Sequence, residues 1–159
     1  IYEGTTGIQA NDLVGRKTLA DEGRVLADLL ADMESTASAL SARDGLAGLG
    51  AALQGGVEAA RTGCRGLLEH AREDRNVAGA AGVNWLMLLG YVCGGWLMGQ
   101  SALKAAARLA SGGGDESFLE AKLVTARFYC EHLLPRAHAC LATMEAGPDS
   151  MMALAAEQF

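Results

Sequence analysis

From Val77 to Gly99 the chain reads VAGAAGVNWLMLLGYVCGGWLMG, without one charged side chain. A helix of that composition has two stable homes, a bilayer or the middle of a helix bundle, because water is a poor solvent for it on all sides. Uncharged runs beyond about 18 residues are long enough to cross hydrocarbon, and the glycines would suit close helix crossings in a membrane. Burial among protein helices is the stronger reading. The run is rich in glycine and alanine, Asn84 lies inside it, and amphipathic segments on both sides of it can supply the cover. A helix over Asn76 to Ser111, covered all round by its neighbours, is therefore expected. A membrane helix bundle would instead need detergent to stay monodisperse.

Those neighbours show the period of helices, and no alternating β-branched or aromatic stretch reads as a strand. A short leading helix is predicted over Thr6 to Lys17, with Thr5 or Thr6 as cap and Arg16 and Lys17 at the negative end of the dipole. A second runs from about Arg24 to Ser41 on the stripe Leu26, Leu29, Met33, Ala37 and Leu40. After the turn Arg43, Asp44, Gly45, a third carries Leu46, Leu49, Leu53, Val57, Ala60, Cys64 and Leu67 and should end near Asp74. Beyond Ser111 to Gly114, Asp115 caps one last long helix whose seam is Leu119, Leu123, Ala126, Cys130, Leu133, Ala137, Cys140 and Met144. Pro135 should bend it, and Gly147 with Pro148 should stop it. The class is all-α: an antiparallel bundle of about four long helices plus a short leading one.

Composition and motifs remove several functions. There are 13 Lys and Arg against 19 Asp and Glu, a formal charge of -6, and no basic stripe for phosphates, so nucleic-acid binding is excluded. Cys64, Cys93, Cys130 and Cys140 match no zinc or CxxC spacing and read as reduced thiols of a cytosolic protein. No GxxxxGK occurs, Gly45, Gly48 and Gly50 do not complete GxGxxG, and no Glu-x-x-His pair suggests a di-iron bundle. Cys130, His132, His138 and Cys140 lie close in sequence, but a step of two residues turns a helix by about 200°, so the members of each pair point apart and no metal site is expected. Trp85, Tyr91 and Trp96 read as core rather than a ligand cage. His70, beside Glu69 and Arg72, reads as a solvated surface residue.

The opening turn is different. Glu3 combines a carboxylate with Gly4, whose backbone can approach a ligand closely, just before a helix. Tyr2, Glu3, Gly4 and Thr5, followed by Ile8 and Gln9, resemble the YEGT-x-x-IQ segment of flavin-dependent acyl-CoA dehydrogenases. DLVGRK at Asp12 to Lys17, NWLMLLGYVCGGW at Asn84 to Trp96 and AKLVTARFYCEHLLPRA at Ala121 to Ala137 are similar to the C-terminal extension of the larger bacterial members. The resemblance thus touches the whole chain and is most specific at its start.

It implies an FAD-dependent α,β-dehydrogenation of an acyl-CoA thioester. Glu3 would be the catalytic base taking the α-proton, with Gly4 against the substrate and Thr5 beside the flavin. Developing enolate charge would be met by the backbone N–H of Glu3. Position 7 departs from the pattern: Gly7 stands where many shorter members carry Gln or Glu, so no flavin contact is assigned there. The resemblance also implies electron-transfer flavoprotein as the parent's partner and a homo-oligomer, a dimer, in a bacterial cytoplasm. Residues 1–20 would end the catalytic helical domain, and residues 21–159 would form an extension for packing and assembly. Because the sequence opens at Ile1 inside a turn, a larger parent is expected, and the fragment alone should neither retain FAD nor turn over acyl-CoA. The rival class is a stand-alone helical interaction module offering the Leu119 to Met144 seam to a partner.

Overall fold

The structure, a computed structural model, describes residues 5–158. Among them there is no strand. Helix α1 (Thr6–Asp12) continues without a break into a π-helical turn (Leu13–Leu19). Then follow α2 (Arg24–Ser41), α3 (Ala47–His70), α4 (Arg75–Ala110), α5 (Glu116–His132) and α6 (Arg136–Glu145), with a single 3-10 turn (Ala156–Gln158) in the tail. Short turns join α2 to α5, so consecutive helices run antiparallel. The expected all-α bundle is what forms.

Its starts and stops follow local chemistry. The true cap of α2 is Asp21, whose carboxylate accepts from the amides of Gly23 and Val25, both at 3.0 Å. Gly23 itself has φ 74°, a left-handed conformation that costs glycine little. Asp74 does not end α3, as the sequence suggested. That helix stops at His70, and Asp74 caps α4 by accepting from Asn76 N at 2.8 Å. Asp115 caps α5 as expected, accepting from Phe118 N at 3.1 Å.

The last helix is two. α5 ends at His132 and α6 begins at Arg136, because Pro135 has no amide to donate and its ring crowds the preceding turn. The predicted local bend is thus a full interruption.

Stripes on α2 and α3 bury Leu26, Met33, Ala37 and Leu40, and Leu46, Leu49, Leu53, Val57, Ala60 and Leu67. On α2, Leu30 takes the buried place expected for Leu29, which is only partly covered. These meet Trp85, Leu88 and Val92 of α4 in one core, each large side chain contributing roughly 1.5–3 kcal/mol of burial. α4 contacts α1, the π turn, α2, α3, α5 and α6, so it is the central element. It is not covered all round, however: Val83, Met87 and Leu97 remain exposed. By length and apolarity it is also the one helix among the described residues long enough to cross a membrane.

Candidate functional site

Glu3 and Gly4 lie outside the described residues, so Thr5 alone of the three expected site residues has described surroundings. Thr5 is exposed in the turn entering α1, and its carbonyl accepts the first helical hydrogen bond from Gln9 N at 2.8 Å. Thr5 holds the cap position, one of the two offered by the sequence, but its side chain makes no cap bond. The reason is its backbone, φ -110° and ψ -20°, which departs from the extended conformation that aims a cap hydroxyl at the next amides.

What fixes this segment on the bundle is a row of small and polar residues every four positions. Ala10, Val14 and Thr18 are all buried. Ala10 lies against Gly82 of α4, where an added Cβ would be 3.6 Å from the Ala10 Cβ. Thr18 closes the row. Its Oγ1 donates to the carbonyl of Leu13 at 2.9 Å and accepts from Trp85 Nε1 at 3.0 Å. One hydroxyl therefore uses donor and acceptor together in a dry place, satisfying an indole that is fully buried. The wide turn is seen in the backbone as well, with Ala20 N bonded to Gly15 O and Gly23 N to Thr18 O. The sequence reading gave Thr18 no part. Its only signal was the four-residue spacing from Ala10 and Val14.

The aromatic trio does not converge on a cage. Trp85 reaches the π turn, Trp96 Nε1 donates to Thr36 Oγ1 on α2 at 2.8 Å, and the Tyr91 carbonyl accepts from the Tyr129 hydroxyl at 3.2 Å. They tie α4 to its neighbours. Cys130 is buried while His132 and His138 are exposed, and among the described residues no three His, Cys, Asp or Glu side chains are grouped to hold a metal. Burial raises the pKa of all four thiols, with Asp21 adding to the effect at Cys64 and Glu131 at Cys130. None is activated as a nucleophile. His70 is exposed.

Grooves open on several sides of the bundle. The first, about 510 Å³, lies between α3, α4 and α6, with an apolar floor of Leu67, Val77, Ala81, Leu141 and Met144. Its rim carries Glu69, Glu73, Asp74, Glu145 and Asp149 against Arg65, a field that repels the phosphates of a coenzyme A or flavin diphosphate. The second, about 370 Å³, is lined by Leu26, Leu30, Leu68 and Cys64, and its Arg61 is already paired with Glu34 at 2.6 Å. The acidic rim of the first groove therefore does not suit a dinucleotide.

The sequence of this bundle is similar to those of known proteins. Residues 9–155 match the family described as "Acetyl-CoA dehydrogenase C-terminal like", and the chain belongs to that family. It is 43% identical over 142 residues to a 3-methylmercaptopropionyl-CoA dehydrogenase of Ruegeria pomeroyi, covering 84% of this chain and 23% of the relative. It is 32% identical over 151 residues to the broad-specificity linear acyl-CoA dehydrogenase FadE5 of Mycobacterium tuberculosis, covering 85% of this chain and 23% of that relative. The chain thus spans about a quarter of the length of the relatives it matches. The family match begins at Gln9, just after the segment that carries Glu3.

Proposed function

We propose that this chain is the C-terminal helical part of a bacterial FAD-dependent acyl-CoA dehydrogenase, and that Glu3 is the parent's catalytic base. The observation that carries the reading is the similarity to two dehydrogenases across nearly the whole chain, preceded by the Tyr2 to Gln9 segment that resembles the family's base-bearing turn. Glu3 removes the α-proton of the thioester, its own backbone N–H meets the charge that develops on the thioester carbonyl, and exclusion of water raises the carboxylate's proton affinity toward that of the substrate. Gly4 admits the substrate closely, and Thr5 stands on the flavin side. When bound, FAD supplies the acceptor for the hydride lost from the β-carbon. The acidic groove of the bundle does not fit that cofactor, and its site is assigned mainly to parts of the parent outside this chain, with Thr5 at its border.

On this reading residues 1–20 complete the catalytic helical domain and residues 21–159 pack on it. The parent works in the cytoplasm as a homo-oligomer and passes electrons to an electron-transfer flavoprotein; α4 packs within protein rather than crossing a membrane. The rival interaction module loses its surface. Leu119, Ala126, Cys130 and Ala137 of the proposed seam are buried within the chain, where α5 and α6 pack on α3 and α4.

Glu3→Gln in the full-length protein tests the role directly. The variant should keep FAD bound while substrate-driven flavin reduction falls by about 10²–10⁴-fold, the contribution of a positioned base. Near-normal reduction would place the base elsewhere.

A further inference from the structure

α4 is apolar enough to cross a membrane, yet only 28% of its most apolar 18-residue window is buried. The uncovered part has a definite shape. Val83, Met87 and Leu97 are 46%, 42% and 52% exposed, and at about 100° per residue they fall with Gly90 inside a sector of roughly 80°. Gly90 is exposed, and a Cβ placed there would meet nothing within 4 Å. Gly94 falls in the same sector, but Tyr129 of α5 folds over it, so the open strip is a chargeless ridge from Val83 to Gly90 with a notch at its end, and Leu97 lies apart beyond the tyrosine. One edge of the ridge is α1, which lies on Gly82, next to Val83.

Two quantities identify what covers it. From Val83 to Gly90 the ridge is only about 10 Å long and one helix, about 10 Å, wide. That is small against the roughly 1,200–2,000 Å² buried in a stable interface between separate chains, so a second copy would be held weakly. A tethered partner faces no such demand, because linkage supplies a high effective concentration. The relatives provide one: 77% of each lies outside the matched region, since the chain covers 23%. The segment through which such a polypeptide would enter, Thr5 and α1, runs beside the ridge.

We propose that the Val83, Met87 and Gly90 face of α4 is the seat on which this bundle docks onto the rest of its own polypeptide, with an apolar helix of the catalytic body crossing at the Gly90 notch. This rests on the reading of the chain as part of a longer dehydrogenase.

Methionine oxidation by peroxide, read by mass spectrometry on the fragment and on the full-length protein, tests it. In the fragment Met87 should oxidise far faster than Met33, which is 0% exposed. In the full-length protein Met87 should slow by about fivefold or more, in keeping with its loss of exposure. Gly90→Arg should leave the fragment's Tm unchanged and return Met87 of the full-length protein to the fragment's rate. Equal Met87 rates in the two wild-type proteins would overturn the proposal, as would protection in the fragment that grows with concentration, the mark of a second copy. A full-length protein that reduces its flavin with acyl-CoA while Met87 stays fast would sink the docking seat alone; one whose Met87 stays fast and whose flavin is not reduced would sink the parent reading with it.

Discussion

Thr18 shows how much a single hydroxyl can decide. It sits at the end of the Ala10, Val14, Thr18 row, and it alone satisfies the buried Trp85 indole while bonding back to Leu13. Thr18→Val keeps the shape but leaves the indole N–H unpaired in the core, which should cost about 1–3 kcal/mol in denaturant unfolding. Thr18→Ser, which keeps the oxygen, should cost less. Asp21 works at the opposite, solvated extreme. The Val25 amide, followed by that of Gly23, holds its carboxyl below the ordinary value of 3.8, with Arg24 adding to the effect. A lowered folded pKa means that stability gained from Asp21 is present above the unfolded value and is lost as pH falls through the folded one. Asp21→Asn should therefore be less stable than the parent sequence at pH 7 and show a flatter loss below about pH 4; parallel acid limbs would contradict this.

At the scale of elements, glycines divide into those that admit a neighbour and those that face water. Gly63 lets α3 close on Trp85 and Met144, whose atoms would stand 3.1 and 3.2 Å from an added Cβ, whereas a Cβ on Gly48 would meet nothing within 4 Å. Gly63→Leu should overpack the core and cost about 1–3 kcal/mol. Gly48→Ala should stabilise by about 0.5–1 kcal/mol through helix propensity. Urea unfolding of the pair separates packing from propensity, and equal effects would contradict the assignment. Much of this architecture was legible beforehand. The threes and fours of Leu46 to Leu67 are a helix-face code, and Asp115 is a cap by type and place. What escaped was partly local, since Asp74 caps the following helix rather than ending its own and Pro135 divides a seam that spacing alone makes continuous, and partly tertiary, since Thr18 in the π turn has its partner 67 residues away.

For the molecule as a whole, residues that fold and residues that react are almost separate sets. The first groove of the bundle is rimmed with carboxylates, and Glu3, the one residue given chemistry, was legible only through the resemblance carried by Tyr2 to Gln9. Periodicity could disclose the scaffold because every helix buries its own stripe. It could not disclose a site whose other walls belong to different sequence. It follows that the 159-residue chain mixed with FAD and acyl-CoA should retain no flavin after gel filtration and show no dehydrogenation, and stoichiometric flavin in the protein peak would contradict that. The most direct test of the central claim is anaerobic mixing of the purified full-length protein with acyl-CoA thioesters while following the absorption of its oxidised flavin. The account predicts rapid, substrate-dependent bleaching that Glu3→Gln nearly abolishes. A full-length protein that binds no flavin, or whose flavin stays oxidised with thioesters of every chain length, would contradict it.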